Sequence, residues 1–196
     1  MLFTEDIPGA TPIDDVSGLI PTHISTRSEL NEWETANILK AVKYHLSEKR
    51  KLTINIQWLK KLHKEMFGES WKWAGKFRQR NLSLGIDWHN INDQIKALVD
   101  DIAYWRKNNS LSIFEQSIRI HHRLVKIHPF ENGNGRHARL VSDIYLYNNN
   151  ESRPIWPSDE LIEKSNIRDK YISALKDADS GNYSTLKHFT AELMKR

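Results

Sequence analysis

The chain is predicted to be all-α, a single helical domain behind an irregular arm. Apolar residues recur at three- and four-residue spacing over long stretches, and the breaks between them are short and carry helix-capping residues. Only one stretch, between Lys76 and Ile91, departs from that rhythm. Its 196 residues, 39% hydrophobic and 10% aromatic, are enough for one sizeable core. The formal net charge of +4 describes a mildly basic surface and does not single out nucleic acid, because no predicted helix concentrates basic residues on one face. The absence of cysteine excludes a disulfide framework and a thiolate zinc site. Met1 to Ala10 carries Glu5 and Asp6 and no apolar signal core, and no run is long enough to span a membrane. The cytoplasm is therefore the expected address, with no membrane partner.

Residues 1–25 contain Pro8, Gly9, Pro12, Gly18 and Pro21 and read as the arm; residues 26–196 read as the domain. Ser25, Thr26 and Ser28 are candidate caps for a first helix, with Leu30, Trp33, Asn37, Ile38, Ala41 and Tyr44 at helical spacing to about Glu48. Thr53 is expected to cap the second, whose stripe is Ile56, Leu59, Leu62, His63 and Met66, ended by Gly68. Trp71, Trp73, Phe77 and Trp88 are expected to pack as core and lid. From Lys76 to Ile91, Asn81, Gly85, Asp87 and Asn90 punctuate short apolar pieces, which reads as a β-hairpin or irregular flap. Asp93 opens a third helix ending at Asn108-Asn109. Ser112 caps a fourth, the most buried-looking. A fifth ends near Tyr147, Arg153 to Pro157 form a rigid turn, Ser158 caps a long helix to about Asp179, and Tyr183 to Met194 is the last.

Between the fourth and fifth helices lies His128-Pro129-Phe130-Glu131-Asn132-Gly133-Asn134-Gly135-Arg136-His137-Ala138-Arg139. A structural turn needs the glycines but not the arginines. Backbone N–H groups of a glycine-rich turn opening a helix converge on one spot and carry the positive end of the helix dipole. Arg136 and Arg139, three apart, share a face of the first turn. Together these features describe an anion hole sized for polyphosphate. His128 stands at its mouth, and with an ordinary pKa near 6.5 it suits a general base. His121, His122, His128 and His137 do not follow metalloprotease spacing, and their helical pattern is explained without zinc.

This run resembles the signature of the Fic/Doc family: His, any, Phe, any, Asp or Glu, Gly, Asn, Gly, Arg, two of any, Arg. Trp73-Ala74-Gly75-Lys76-Phe77-Arg78 resembles the family's Trp-Ala-Gly-Lys-aromatic-Arg segment, so the likeness covers about residues 52–147. The pattern around Glu29 to Ile38 also resembles the subgroup called mobile mystery protein B. The resemblance implies a Fic-type helical bundle with a β-hairpin flap beside the site. It implies transfer of AMP from ATP to a Ser, Thr or Tyr hydroxyl of a target protein, with Mg2+ as cofactor and an antitoxin-like regulator as a further partner. His128 is then the base. Gly133, Asn134 and Gly135 hold the α- and β-phosphates, Arg136 stabilises the leaving phosphates, and Arg139 reaches the outer ones. Lys76 and Arg78 face either phosphate or solvent. The family's acidic metal ligand falls at Asn132, a neutral oxygen donor, with Glu131 before it. Fic-fold phosphotransfer and a catalytically weak nucleotide-binding regulator are the competing readings. Gly135, where Doc-like members have Lys, argues for nucleotidyl transfer.

Many Fic proteins restrain themselves with a helix patterned Ser/Thr, three of any, Glu, Gly/Asn, whose Glu pairs with the second motif arginine. Ser28 to Glu32 matches the first part and makes Glu32 the expected inhibitory residue, with Glu29 and Glu34 as the alternatives.

Overall fold

The protein is described here from a computed structural model over residues 17–157, 160–161 and 165–195. These residues form seven α-helices: α1 (Arg27–Ser47), α2 (Ile56–Phe67), α3 (Ile91–Asn108), α4 (Ile113–Ile127), α5 (Asn134–Asn148), α6 (Asn166–Asp179) and α7 (Ser184–Leu193). A single 3-10 turn, Trp88–Asn90, precedes α3. The arm's residues 1–16 and Ser158 lie outside the described residues.

Local chemistry sets the helix ends. Thr26 caps α1 in a capping box with Glu29, and Ser112 caps α4 in another with Glu115. The cap of α2 is Asn55 rather than Thr53. α3 starts at Ile91, two residues before Asp93, because the 3-10 turn runs directly into it. Ser165 caps α6, so the expected helix from 158 to 179 is interrupted before Asn166. Gly181, at φ +91°, makes the break before α7.

The central pair is α4 and α5. From His137 to Leu146 every residue of α5 is buried, so it is a core helix and not a surface one. One apolar cluster packs α1, α2 and α3 against it through Leu30, Leu59, Met66, Phe67, Ile95, Leu98 and Tyr145. A second cluster, Ile118, Leu161, Tyr171, Ala174, Leu175 and Leu186, packs α6 and α7 against the other side of α4. Trp71 is buried and stacks on Trp73 with centroids 5.0 Å apart, as core packing of the aromatics requires.

The hairpin expected between Lys76 and Ile91 does not form. Among the described residues the isolated bridge is Leu19 with Trp71. The flap's backbone is instead paired to its neighbours. The Arg78 side chain donates to the carbonyls of Arg80 (2.7 Å) and Ile86, and the Arg78 amide donates to Pro129 O at 2.9 Å. A buried guanidinium thus takes up carbonyls that a ladder would have used.

Candidate functional site

The motif loop meets α5 at a left-handed residue. Gly133 has φ +76°, and a Cβ there would collide with the Phe67 ring, so only glycine fits. α5 then begins without a side-chain cap, which leaves its first-turn N–H groups turned to a cavity of about 590 Å³. Gly135 has open space beside it, the nearest atom to a built Cβ being Arg139 Nη1 at 3.7 Å. The Asn134 side chain does not reach the cavity. Its Oδ1 accepts from Phe130 N (2.9 Å) and its Nδ2 donates to Phe130 O (2.8 Å), so it closes the loop and offers only backbone to an anion.

His128 caps α4 in the left-handed conformation, φ 54° and ψ 59°. Its Nδ1–H points at Val125 O, 3.3 Å away, which leaves Nε2 as the basic nitrogen. Burial pushes its pKa down to about 4, with Arg78 adding to the shift and the Val125 bond opposing it. The sequence expectation of a base near 6.5 is therefore corrected: at neutral pH this imidazole is fully unprotonated.

Two buried side chains hold the loop. His63 accepts the Gly75 amide on Nδ1 (3.0 Å) and donates from Nε2 to Asn132 O (3.0 Å), while its ring stacks on Phe130 at 3.7 Å. Burial lowers its pKa well below 6.5, consistent with a fixed neutral tautomer. Arg78 donates from Nε to His128 O at 2.7 Å. It therefore faces neither phosphate nor solvent, and Lys76 is exposed. The pattern alone gave His63 as an apolar-stripe residue and could not show its double bond.

The arginines are treated differently. Arg136 Nη1 donates to Glu34 Oε2 at 2.6 Å, while Glu34 Oε1 accepts from Trp71 Nε1 at 2.6 Å. Glu34 is 2% exposed. Glu32, the expected inhibitory residue, is exposed and hydrogen-bonds to Ser28 within its own helix, at 3.5 Å. Glu29 is engaged in the capping box, accepting from the amides of Ser25 and Thr26. The structure thus brings Glu34 to the site, and to the first motif arginine in place of the second. Helical geometry explains the choice: Glu34 lies on the buried face with Leu30, Asn37 and Ala41. Arg139 lines the cavity and lies against the rings of Trp156 and Tyr171.

Away from the arginines the cavity runs between α4 and α6. Val125, Ile172 and Leu175 wall it, and His122, Lys126 and Asp179 stand at its far end. His122 donates from Nε2 to Asp179 Oδ1 (2.9 Å), and the Tyr183 hydroxyl reaches Nδ1 (3.2 Å). Along α4 the six residues from His122 to His128 span about 9 Å, comparable to the reach of a nucleoside from its α-phosphate.

Behind the site Asp143 accepts from Trp156 Nε1 with both oxygens, at 3.0 and 3.1 Å. Burial raises its carboxyl from 3.8 to about 7, against the opposing pulls of Trp156, Arg153 and Arg139. The folded state holds this proton more tightly than the unfolded one. The contribution therefore favours the fold fully below 3.8 and is lost as pH rises to about 7. Three pH units correspond to about 4 kcal/mol. Asp143→Asn keeps an acceptor for the indole and is expected to raise the melting temperature at pH 8 by roughly 5–10 °C, and by clearly less at pH 5. Equal shifts at both pH values would remove the carboxylate charge as their cause.

The donor set does not fit a magnesium site built by the protein. Asn132 lines the cavity, but its Oδ1 already accepts the Gly133 amide, and it carries no charge. Glu131 is turned away into an ion pair with Arg80 at 2.9 Å. Magnesium prefers one or two carboxylates beside substrate phosphates, and the loop supplies none.

Comparison with known proteins gives one consistent result. The Fic/DOC family model matches residues 53–146. A protein adenylyltransferase Fic of Drosophila mojavensis is 27% identical over 161 residues, covering 80% of this chain and 31% of the relative. A probable protein adenylyltransferase of Aquifex aeolicus is 32% identical over 88 residues, 44% of this chain and 25% of the relative. The chain thus spans about a third or less of the curated relatives it matches. Among solved structures, the BepC protein of Bartonella tribocorum, crystallised with bound AMPPNP, superposes with a TM-score of 0.67 at 18% identity, covering 92% of this chain and 93% of that one. Fic-1 of Caenorhabditis elegans superposes at 0.68 with 22% identity, over 90% of this chain and 51% of that one. Among the described residues no helix is long and apolar enough to cross a membrane. With its glycine-rich loop, its helix N-terminus and its two arginines around one cavity, the chain matches the Fic/DOC family model over residues 53–146.

Proposed function

We propose that this protein is a protein adenylyltransferase, moving AMP from ATP to a Ser, Thr or Tyr hydroxyl of a target protein. The observation that carries the reading is the uncapped N-terminus of α5 opening into the same cavity as the unprotonated His128, Arg136 and Arg139. The relatives' names and the AMPPNP-bound neighbour support it. Phosphates occupy the N–H groups of Asn134 to Arg136, and the nucleoside lies between Val125, Ile172 and Leu175. The target oxygen attacks the α-phosphorus as His128 Nε2 takes its proton. The bond from that phosphorus to the bridging oxygen breaks, and pyrophosphate leaves with its charge met by the arginines.

The test is incubation with ATP labelled at either end. Protein labelling from the α-phosphate supports adenylylation. Labelling from the γ-phosphate alone assigns the fold to phosphotransfer, and no labelling with intact ATP binding assigns it to a regulator.

Asn132→Asp is expected to raise magnesium-dependent turnover, because a charged oxygen beside the phosphates holds the dication more tightly than an amide. Turnover measured in a magnesium titration checks it. Unchanged magnesium dependence would place the ion on the nucleotide alone.

A further inference from the structure

Arg136 and Arg139 share a cavity but differ in their charged partners. Arg136 lies over the Phe67 ring, 4.8 Å from its centre, and presents its N–H edge to a carboxylate, Glu34, at 2.6 Å. Among the described residues Arg139 makes no ion pair within 4 Å. Its guanidinium carbon lies 5.8 Å from the Trp156 ring centre and 5.9 Å from that of Tyr171, and its side chain also hydrogen-bonds to Tyr171. A guanidinium carries five N–H donors, so this contact leaves edge donors for another ligand.

Each ring is fixed by its polar handle. The Trp156 indole N–H is bound to both oxygens of Asp143, and the Tyr171 hydroxyl lies 2.7 Å from His121 Nε2. Asp143 is one turn beyond Arg139 on α5, so helix geometry locks anchor and arginine together. Trp156 and Tyr171 lie outside the matched stretch, residues 53–146.

Resting on the reading that Arg139 meets the outer phosphates of a nucleotide, we propose that Asp143, Trp156 and Tyr171 form a clamp that positions the Arg139 edge, and that this clamp sets the preference for a nucleoside triphosphate over a monophosphate. The three are positioning residues. They touch the arginine or its ring, and the ligand touches the arginine. The clamp acts on outer phosphates only, because the inner phosphate is met by the α5 N-terminus.

Affinities for ATP and AMP, measured by calorimetry on the whole chain, separate the cases. Arg139→Ala is expected to weaken ATP binding about a hundredfold, with AMP affinity within about twofold of wild type. Trp156→Phe, which keeps a ring but loses the N–H, and Asp143→Leu are each expected to weaken ATP about tenfold, again sparing AMP. Asp143→Asn, which retains an acceptor for the indole, is expected to stay near wild type. If Arg139→Ala lowers the ATP-to-AMP ratio while Trp156→Phe leaves it unchanged, the clamp is wrong and the nucleotide reading stands. Equal loss for ATP and AMP in Trp156→Phe makes the group a structural brace and overturns the proposal. If Arg139→Ala itself leaves the ratio unchanged, the phosphate reading of Arg139 falls, and the clamp with it.

Discussion

His128→Ala is expected to lower transfer to a target hydroxyl by about two to four orders of magnitude while nucleotide affinity largely persists. The imidazole meets the hydroxyl proton, whereas the phosphates are met by the α5 amides and the arginines, so chemistry and binding separate. One structural complication shapes the experiment. His128 holds φ 54°, where alanine is strained by about 1 kcal/mol or more. His128→Asn tolerates that conformation better and has no titratable base, so it is the control for folding. Both variants should lose transfer, and the asparagine variant should keep its melting temperature. More than a tenth of wild-type transfer in the folded asparagine variant would remove His128 from its role. The wild type adds a second readout. Because burial pushes this histidine to about 4, the base stays unprotonated well below neutrality, and its acid limb should lie near pH 4 and not near 6.5.

Glu34→Gln is expected to raise both ATP affinity and labelling, by about ten- to a hundredfold. The carboxylate accepts Arg136 Nη1 at 2.6 Å and is nearly inaccessible to water. A charge-assisted bond of that kind contributes about 1.5–3 kcal/mol, and an arriving phosphate has to compete for the same guanidinium edge. Glutamine removes the charge but keeps an oxygen for the Trp71 indole, which would otherwise lose its 2.6 Å partner. Glu34→Gly removes both partners and adds a helix-interior glycine, so its gain in activity should come with a loss of stability of about 1 kcal/mol or more. Glu32→Gly should leave labelling at the wild-type level, because Glu32 is exposed and bonded to Ser28. Glu29→Gly should cost stability through the lost capping box without speeding labelling. If Glu34→Gln labels no faster than wild type while folded, the contact is a brace between α1 and the motif helix and restrains nothing.

What the sequence by itself determined was the all-α class, most helix positions and the place of the glycine-rich loop between α4 and α5. Those follow from local physics. Apolar spacing of three and four writes helices, Ser112 and Thr26 write caps, and Gly133 allows a left-handed turn that no side chain could take against Phe67. What only the tertiary structure decided were the partners of charged and polar groups. Glu34 and Glu32 are two residues apart and chemically identical; one faces the core and Arg136 and the other water, a difference the short pattern does not carry. Arg78 was open to either phosphate or solvent by sequence, yet its donors go to the backbone of the flap and of His128. His128 looked like a base near its ordinary pKa until burial was known. The hairpin does not form because the guanidinium of Arg78, in the same stretch, takes the carbonyls of Arg80 and Ile86. Backbone conformation is set largely by neighbours in sequence, whereas the environment of a charge is set by neighbours in space, and Coulomb energy and desolvation depend on the second.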